Sequence, residues 1–298
     1  MPKKVKLSII GAGKVGSTIA LLAASTNKYE VYLANRDSKK AQEVLTLSND
    51  QFSIVSIAKA AQLGEITLLT LSDDAIESLC SEIAQQNLFR SGAIVAHCSG
   101  ALSSDILSSA KANQETILAS MHPLQTFPNI TSSLKRMEGT YCYYEGEIEA
   151  REPITQLIKD LGMNAVEIDK EAKALYHASA VVACNYFAAL MDGALDLAQA
   201  AGIDRQTMWY SLDPLVTATL DNIRSSSPAK ALTGPIARGD KETIKRHLEA
   251  IEEYSQGDER LKILYSSMGV QSSHLALKKG SITEEIKREL DDILISKI

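Results

Sequence analysis

The sequence predicts an α/β protein, a doubly wound parallel sheet followed by an all-α domain, and three observations lead there. A β-rich apolar run, VKLSII (Val5 to Ile10), runs into GAGKVG and then into the amphipathic STIALLAAS. Strand-like and helix-like segments alternate from there to Asp169. Beyond Asp169 the strand signals stop and one helix follows another. Alternation of this kind specifies a parallel sheet covered by helices, and the helical remainder specifies a second domain. The boundary is expected at 169/170, giving an α/β domain over 1–169 and a helical domain over 170–298.

The first strand, glycine turn and helix form a unit with chemical meaning. Gly11, Gly13 and Gly16 make G-x-G-x-x-G in the strand–turn–helix context of a dinucleotide site. Gly11 permits the tight turn, Gly13 lets a pyrophosphate approach the backbone, and Gly16 lets the helix pack on the strand. Ala12, Lys14 and Val15 complete the loop, whose free N–H groups and helix dipole favour phosphate. The second strand, YEVYLANR, ends in Asn35-Arg36 rather than in the acidic residue that would bind a ribose 2′-OH. Arg36, with Ser38 and Lys39 close behind, suits a 2′-phosphate. The cofactor expected is therefore NADP(H).

Further units follow in order. EITLLTLS is a strand and SDDAIESLCSEIAQQ a helix from about Asp73. AIVAHCSG is a strand and turn, ALSSDILSSA a helix, and ETILASMHP a strand. TYCYYEG and NAVEID are strands separated by the helix EAREPITQLIKDLG. Ligands in such sheets lie beyond the carboxyl ends of the strands. Leu71, Ser72 and Asp73, then His97, Ser99 and Gly100, then His122 occupy those ends. The first two groups are candidates for the cofactor, and His122 for the substrate.

In the helical half, the segment 171–202 is apolar on nearly every face, so it is expected to be a helix buried on all sides. His177 and Asn185 are polar exceptions on it. On an ideal helix they lie about 80° apart around the axis and roughly 12 Å apart along it. Helices are expected at about 204–224, 241–253, 257–278 and 283–296. His247 rides the apolar stripe of the second of these and reads as a packed histidine. Between the first and second lies ALTGPIARGD (Ala231 to Asp240). Asp240 suits an N-cap, Gly234 and Gly239 permit positive φ, and Pro235 stiffens the turn. A plain connection requires none of Thr233, Gly234 and Arg238 in particular, so these three are candidates for a substrate-side wall.

Composition bounds the rest. The chain has 298 residues, 45% hydrophobic and 23% charged, an ordinary globular profile for two domains. A formal charge of −6 without a basic run gives no reason to expect nucleic acid. No charge-free apolar stretch is expected to span a bilayer, and the apolar run after Lys3, Lys4 and Lys6 is too short for a signal peptide. Cys80, Cys98, Cys142 and Cys184 form no CxxC pair, which favours reduced thiols, no metal site and a cytoplasmic protein. In that setting Arg238-Gly239-Asp240 is a chance adhesion tripeptide.

GAGKVG, the Asn35-Arg36 pair, HCSGALSSDIL, HPLQTFP, YHASAVVACNY and ALTGPIARGD occur in this order. Together they resemble a largely uncharacterised family of two-domain NADP oxidoreductases, from about Lys6 to Tyr265. That family is similar to pyrroline-5-carboxylate reductase, ketopantoate reductase, the 6-phosphogluconate dehydrogenase group and the deazaflavin-dependent NADP oxidoreductases. The resemblance implies a Rossmann-type doubly wound parallel sheet followed by an all-α 6-phosphogluconate-dehydrogenase-like C-terminal domain. It also implies a homodimer formed through the helical domain. In hydroxyacid dehydrogenases and ketopantoate reductase a lysine on the first long helix acts as general acid, with an asparagine one turn later. Here Tyr176-His177 stands in that region, Lys173 one turn earlier and Asn185 two turns later, so the lysine chemistry does not transfer directly. Nor does the loop keep the Pro-Gly-Gly-Thr pattern of pyrroline-5-carboxylate reductase.

The reading that results is a reductase of a small carbonyl or imine, with or without a carboxylate, in an interdomain cleft. His177 is its general acid/base, with His122 and Lys173 as substitutes. Asn185 orients the small-molecule substrate, and Arg238 grips a carboxylate. The alternatives are an NADP-binding sensor or scaffold without turnover, and an NADP reductase linked to a deazaflavin.

Overall fold

A computed structural model of the chain describes residues 3–48, 51–112, 115–254 and 258–296. The chain divides into two compact units, Met1–Val181 and Val182–Ile298. Residues 170–181 therefore cluster with the α/β unit, past the boundary expected at 169/170. The reason is local: Lys173, Tyr176 and His177 engage the strand ends of that unit.

Unit 1 is an eight-stranded sheet. Its strands are β1 (Val5–Ile10), β2 (Tyr29–Ala34), β3 (Ser53–Ile54), β4 (Ile66–Leu69), β5 (Ile94–His97), β6 (Ile117–Pro123), β7 (Tyr141–Gly146) and β8 (Asn164–Glu167). The order is β3-β2-β1-β4-β5-β6-β7-β8. The strand order reverses between β1 and β4, which is where such sheets open a ligand crevice. Among the described residues, its α-helices are α1 (Lys14–Ser25), α2 (Ser38–Leu47), α3 (Ile57–Leu63), α4 (Asp73–Gln85), α5 (Ile130–Arg136), α6 (Ile148–Asp160) and α7 (Lys173–Ala180).

Two cores sandwich the sheet. Ile19, Ala23, Val44, Ile154 and Leu157 pack on one face with Leu7, Ile9 and Leu33. Ala60, Ile76, Ile83 and Leu107 pack on the other with Ile10, Leu69 and Val95. Strands covered on both faces read as continuous apolar runs, which is why β1, β4 and β5 are plain in the sequence.

Two details differ from expectation. The sheet is parallel except for β6 and β7, which pair antiparallel from Ala119↔Gly146 to Pro123↔Cys142. The chain leaves β6 and enters β7 at the same end of the sheet, with α5 between, so it makes no crossover there. An apolar run does not encode its own direction. The segment expected as an α-helix over 101–110 is instead a 3-10 helix, Ser104–Lys111.

Unit 2 is all helix: α8 (Tyr186–Ala200), α9 (Arg205–Ser225), α10 (Pro228–Ala231), α11 (Lys241–Tyr254), α12 (Arg260–Lys279) and α13 (Glu284–Ile295). Ile244 and Leu248 of α11, Ala276 of α12 and Leu290 and Leu294 of α13 form its core. Between α7 and α8, Val181–Asn185 is a π-helical turn.

The apolar helix expected to be buried is not. Leu175, Val182, Tyr186 and Phe187 are exposed, and α8 buries only Gly193 and Ala198. Nor does the membrane expectation stand on length and composition: residues 174–191 carry no Asp, Glu, Lys or Arg, and Lys170–Ala200 is long and apolar enough to cross a bilayer. Tertiary burial, not composition, decides whether such a helix is a core helix, and here the chain alone leaves it uncovered.

Candidate active site

The glycine loop is built by steric necessity. Gly11 sits at φ +122, and a Cβ there would collide with the carbonyl of Thr70. A Cβ on Gly16 would meet the Gly11 carbonyl and Thr70 Oγ1. Thr70, at the end of β4, donates its hydroxyl to the Gly11 carbonyl at 2.8 Å and so holds the turn from behind. Gly13 differs: a Cβ there would meet nothing within 4 Å. It caps α1 in extended conformation without a side-chain cap bond, leaving the first N–H groups of the helix free. An open face beside uncapped donors is what a pyrophosphate needs, so the residues present fit a dinucleotide.

Asn35 ties the loop to the end of β2. Its Oδ1 accepts from Ala12 N at 3.0 Å, and its Nδ2 donates to the Asp37 carbonyl at 2.8 Å. Asp37 in turn caps α2 by accepting from Lys39 N at 3.0 Å. Gly11, Asn35, Arg36, Lys40, Leu71 and Ser72 line a cavity of about 340 Å³ beside this end. Arg36 and Lys40 are its two cations. Lys40 lines it with Arg36, whereas the expected Ser38 and Lys39 are exposed and do not.

A second cavity, about 390 Å³, joins the loop to the strand ends. Gly13, Lys14 and Val15 form one side, Leu71, Ser72 and Asp73 another, and Ser99, Gly100 and His177 a third. Cys98 and Phe127 complete it. The Cys98 thiol is pushed up to about 12 by burial, so it stays protonated.

His97 stands behind this cavity rather than in it. It is fully buried, its Nε2 lies 3.0 Å from the Ser103 carbonyl, and its Nδ1 accepts from Ser99 N at 3.1 Å. Both nitrogens are thus used to shape the Ser99 turn. Burial first, and the charge of Lys173 second, push its imidazole down to about 4. Ser99 Oγ accepts from Ala101 N and Leu102 N, which closes the same turn.

His122 and His177 come together over Gly100. Their rings are 5.5 Å apart and nearly perpendicular at 82°. A Cβ on Gly100 would collide with His177 Nδ1 and stand 2.9 Å from His122 Nε2, so only glycine leaves room for the pair. His122 Nδ1 lies 3.0 Å from the hydroxyl of Tyr176, whose ring packs on Tyr143 at 4.3 Å. Burial and the nearby His177 and Lys173 hold His122 down at about 4. His177 Nδ1 is buried and has no hydrogen-bond partner among the described residues. A buried, unpaired polar atom costs about 1–3 kcal/mol, which marks it as a place where a water or a neighbouring donor is owed.

Lys173 takes a different role from the one expected. It is 2% exposed, and its amine donates to the Ser99 carbonyl at 3.2 Å and to Ser120 Oγ at 2.5 Å. Glu145, also buried, stands 3.6 Å away. Glu145 further accepts from Ser120 Oγ at 2.7 Å and from the N–H and hydroxyl of Ser104, both at 2.8 Å. Burial lowers the Lys173 ammonium, against the pull of Glu145. The network anchors α7 to the turn after β5, to β6 and β7, and to the 3-10 helix.

Asn185 is exposed and closes the π turn, so the ideal-helix spacing from His177 does not apply. In unit 2, Gly234 and Gly239 adopt φ of +94 and +70. Asp240 caps α11 by accepting from Thr243 N at 3.1 Å and its hydroxyl at 2.7 Å. Thr233 lines an apolar cavity of about 340 Å³ among α8, α11 and α12, while Arg238 is exposed and does not. Among the described residues no cluster of three or more His, Cys, Asp or Glu is placed to hold a metal, and all four cysteines are free thiols.

The fold and its loops define a Rossmann-type protein with an appended helical unit. A Rossmann-like domain model matches residues 1–123, and the domain of unknown function DUF2520 matches residues 140–272. The chain thus joins these two matches in the order that its motifs led us to expect. No curated protein matches it. Among solved structures, it is similar to a Bacteroides fragilis protein described, provisionally, as an NADP oxidoreductase: 20% identity over 91% of this chain and 98% of that one, TM-score 0.70. An imine reductase from a Pseudomonas species is 19% identical over 94% of this chain and all of its own, TM-score 0.61. A reductive aminase from Aspergillus terreus, solved with NADPH4, cyclohexanone and allyl amine, is 13% identical over 99% of this chain and 93% of its own, TM-score 0.58. At these identities the likeness is one of fold.

Proposed function

We propose that the protein is an NADP(H)-dependent oxidoreductase acting on a small carbonyl or imine. The observation that carries this reading is the 390 Å³ cavity, which runs from the phosphate-binding glycines to His177. Gly11, Gly13 and the N-terminus of α1 would hold the pyrophosphate, and Arg36 with Lys40 the 2′-phosphate. The nicotinamide, when bound, supplies or accepts a hydride. Ser99 and Gly100 line the cavity beside His177, and Phe127 and Cys98 give it an apolar wall. His177 donates or accepts the proton that balances the hydride. The imine reductase and reductive aminase folds favour C=N over C=O among the substrates to try first.

The partner in this reading, besides the small-molecule substrate, is a second copy of the chain docked through unit 2. Asn185, Thr233, Gly234 and Arg238 are then the residues of that unit to vary for substrate effects.

The test is NADPH consumption across a panel of cyclic imines and ketones, with dissociation constants for NADPH and NADH. Turnover on an imine, lost on His177→Ala with NADPH binding retained, supports the reading. Tight NADPH binding with no turnover on any member would leave a sensor, and equal affinity for NADH would remove the role of Arg36 and Lys40.

A further inference from the structure

We propose that Tyr176, His122 and His177 form an oriented hydrogen-bond chain, in which Tyr176 and His122 are positioning residues that place the proton of His177 on its cavity-facing nitrogen. The inference rests on the reading of His177 as the proton-exchanging group.

His177 has one nitrogen, Nδ1, turned inward, buried and unpartnered. Any ligand in the cavity therefore meets Nε2. Which nitrogen carries the proton is set by what faces the other one. The group facing Nδ1 is His122: its Nε2 converges on the same point over Gly100, and the two rings meet edge to face at 5.5 Å. No direct hydrogen bond joins the two nitrogens, and one bridging water or a small ring rotation connects them in the proposed chain.

The direction of the chain is set at Tyr176. Its hydroxyl lies 3.0 Å from His122 Nδ1, and the chain as proposed has the hydroxyl as donor. That leaves the His122 proton on Nε2, aimed at His177 Nδ1. His177 Nδ1 then accepts, and the His177 proton sits on Nε2, where the cavity begins. Burial keeps the Tyr176 hydroxyl protonated and His122 neutral, so both stay in the required state near neutral pH. The other charged groups nearby are Lys173, whose amine is held by Ser99, Ser120 and Glu145, and Lys14 and Asp73 in the cavity wall. Each turnover moves one proton from His177 Nε2 to the product as the chain shifts toward it, the Tyr176 proton to His122 Nδ1 and the His122 Nε2 proton to His177 Nδ1; a solvent proton entering at Nε2 after product release shifts the chain back.

Tyr143 braces Tyr176, and Gly100 supplies the gap. Gly100 is thus a positioning residue of a different kind, since a single methyl there would drive the imidazoles apart.

The test reads tautomers directly, by ¹⁵N NMR of histidine-labelled wild-type protein without cofactor. The expected result is an Nε2–H tautomer for both His122 and His177. His122 should show no titration down to about pH 5, consistent with its depression to about 4. Tyr176→Phe should scramble the tautomer of His122 and then of His177, shift the acid limb of the kcat profile, and leave the NADPH dissociation constant unchanged. Gly100→Ala should lower kcat about tenfold or more, with KM for NADPH moved less than twofold. An Nδ1–H tautomer at His177 in the wild type would overturn the chain, as would Tyr176→Phe with unaltered tautomers and pH profile. If the tautomers are as expected but no carbonyl or imine is turned over, the chain stands and the oxidoreductase reading fails.

Discussion

Lys173 and Glu145 face each other in a site almost closed to water, and that enclosure sets what each can do. A charge taken out of water is held only by its partners, so removing one partner costs more than the pair contributes. Glu145→Gln leaves the amine beside Ser99 with hydroxyl and carbonyl acceptors alone. Chemical denaturation should show a loss of about 3 kcal/mol, and Glu145→Gln with Lys173→Met should recover part of it. His97 adds a pH dependence of definite sign. Its folded value of about 4 lies below the ordinary 6.5, so the unfolded chain binds its proton first. Stability is complete above about pH 6.5 and falls as pH drops toward 4, by about 3 kcal/mol from His97 alone. His97→Gln should flatten that limb of a melting-temperature profile. His177 and Lys173 stood out in the sequence because a polar side chain in an apolar helix is conspicuous. Glu145, Ser120, Ser104 and Thr70 did not, because each acquires its role from a strand neighbour tens of residues away.

The glycine loop and its supports act as one element. Thr70 holds the Gly11 carbonyl from the next strand, and Gly16 lets α1 close over both. Thr70→Val keeps the shape and removes the hydroxyl. NADPH binding should weaken about tenfold, about 1.4 kcal/mol, with the melting temperature little changed; unchanged affinity would show that the turn holds itself. The strand–turn–helix unit was legible because its meaning is local: glycine spacing, an apolar run and a helix follow one another in a few residues. The helical half was legible in the same way, and the four expected helices stand as α9, α11, α12 and α13 within a few residues. What pattern could not carry was direction and fine winding. The antiparallel β6–β7 pair depends on where α5 returns the chain, and the π turn at Val181–Asn185 on how α7 is pinned. Asp240 shows the opposite case, a cap read from spacing and found bonded to Thr243.

Unit 2 leaves more apolar surface bare than one chain has reason to. Tyr186, Phe187 and Leu190 on α8, and Trp209, Tyr210, Leu215 and Leu220 on α9, are all exposed, and α9 buries no residue. Seven large apolar side chains exposed on two neighbouring helices mark a contact with protein or lipid. Charge pattern separates the two. Asp213 and Asp221 stand on the exposed α9 together with Arg224, and Arg205 pairs with Asp192 and Asp196. Carboxylates along the middle of a lipid-facing helix are costly, whereas a protein interface accommodates them at its rim. A second copy, covering about 800 Å² or more on each chain, meets the requirement without a hydrocarbon phase. Light scattering in detergent-free buffer should therefore give twice the 32.3 kDa of one chain. Tyr210→Asp with Leu215→Asp should halve that mass and lower turnover, while Leu47→Asp, an exposed apolar residue of unit 1, should change neither. A monodisperse single-chain mass for the wild type would remove the dimer, and partition into a membrane fraction would transfer the same surface to lipid.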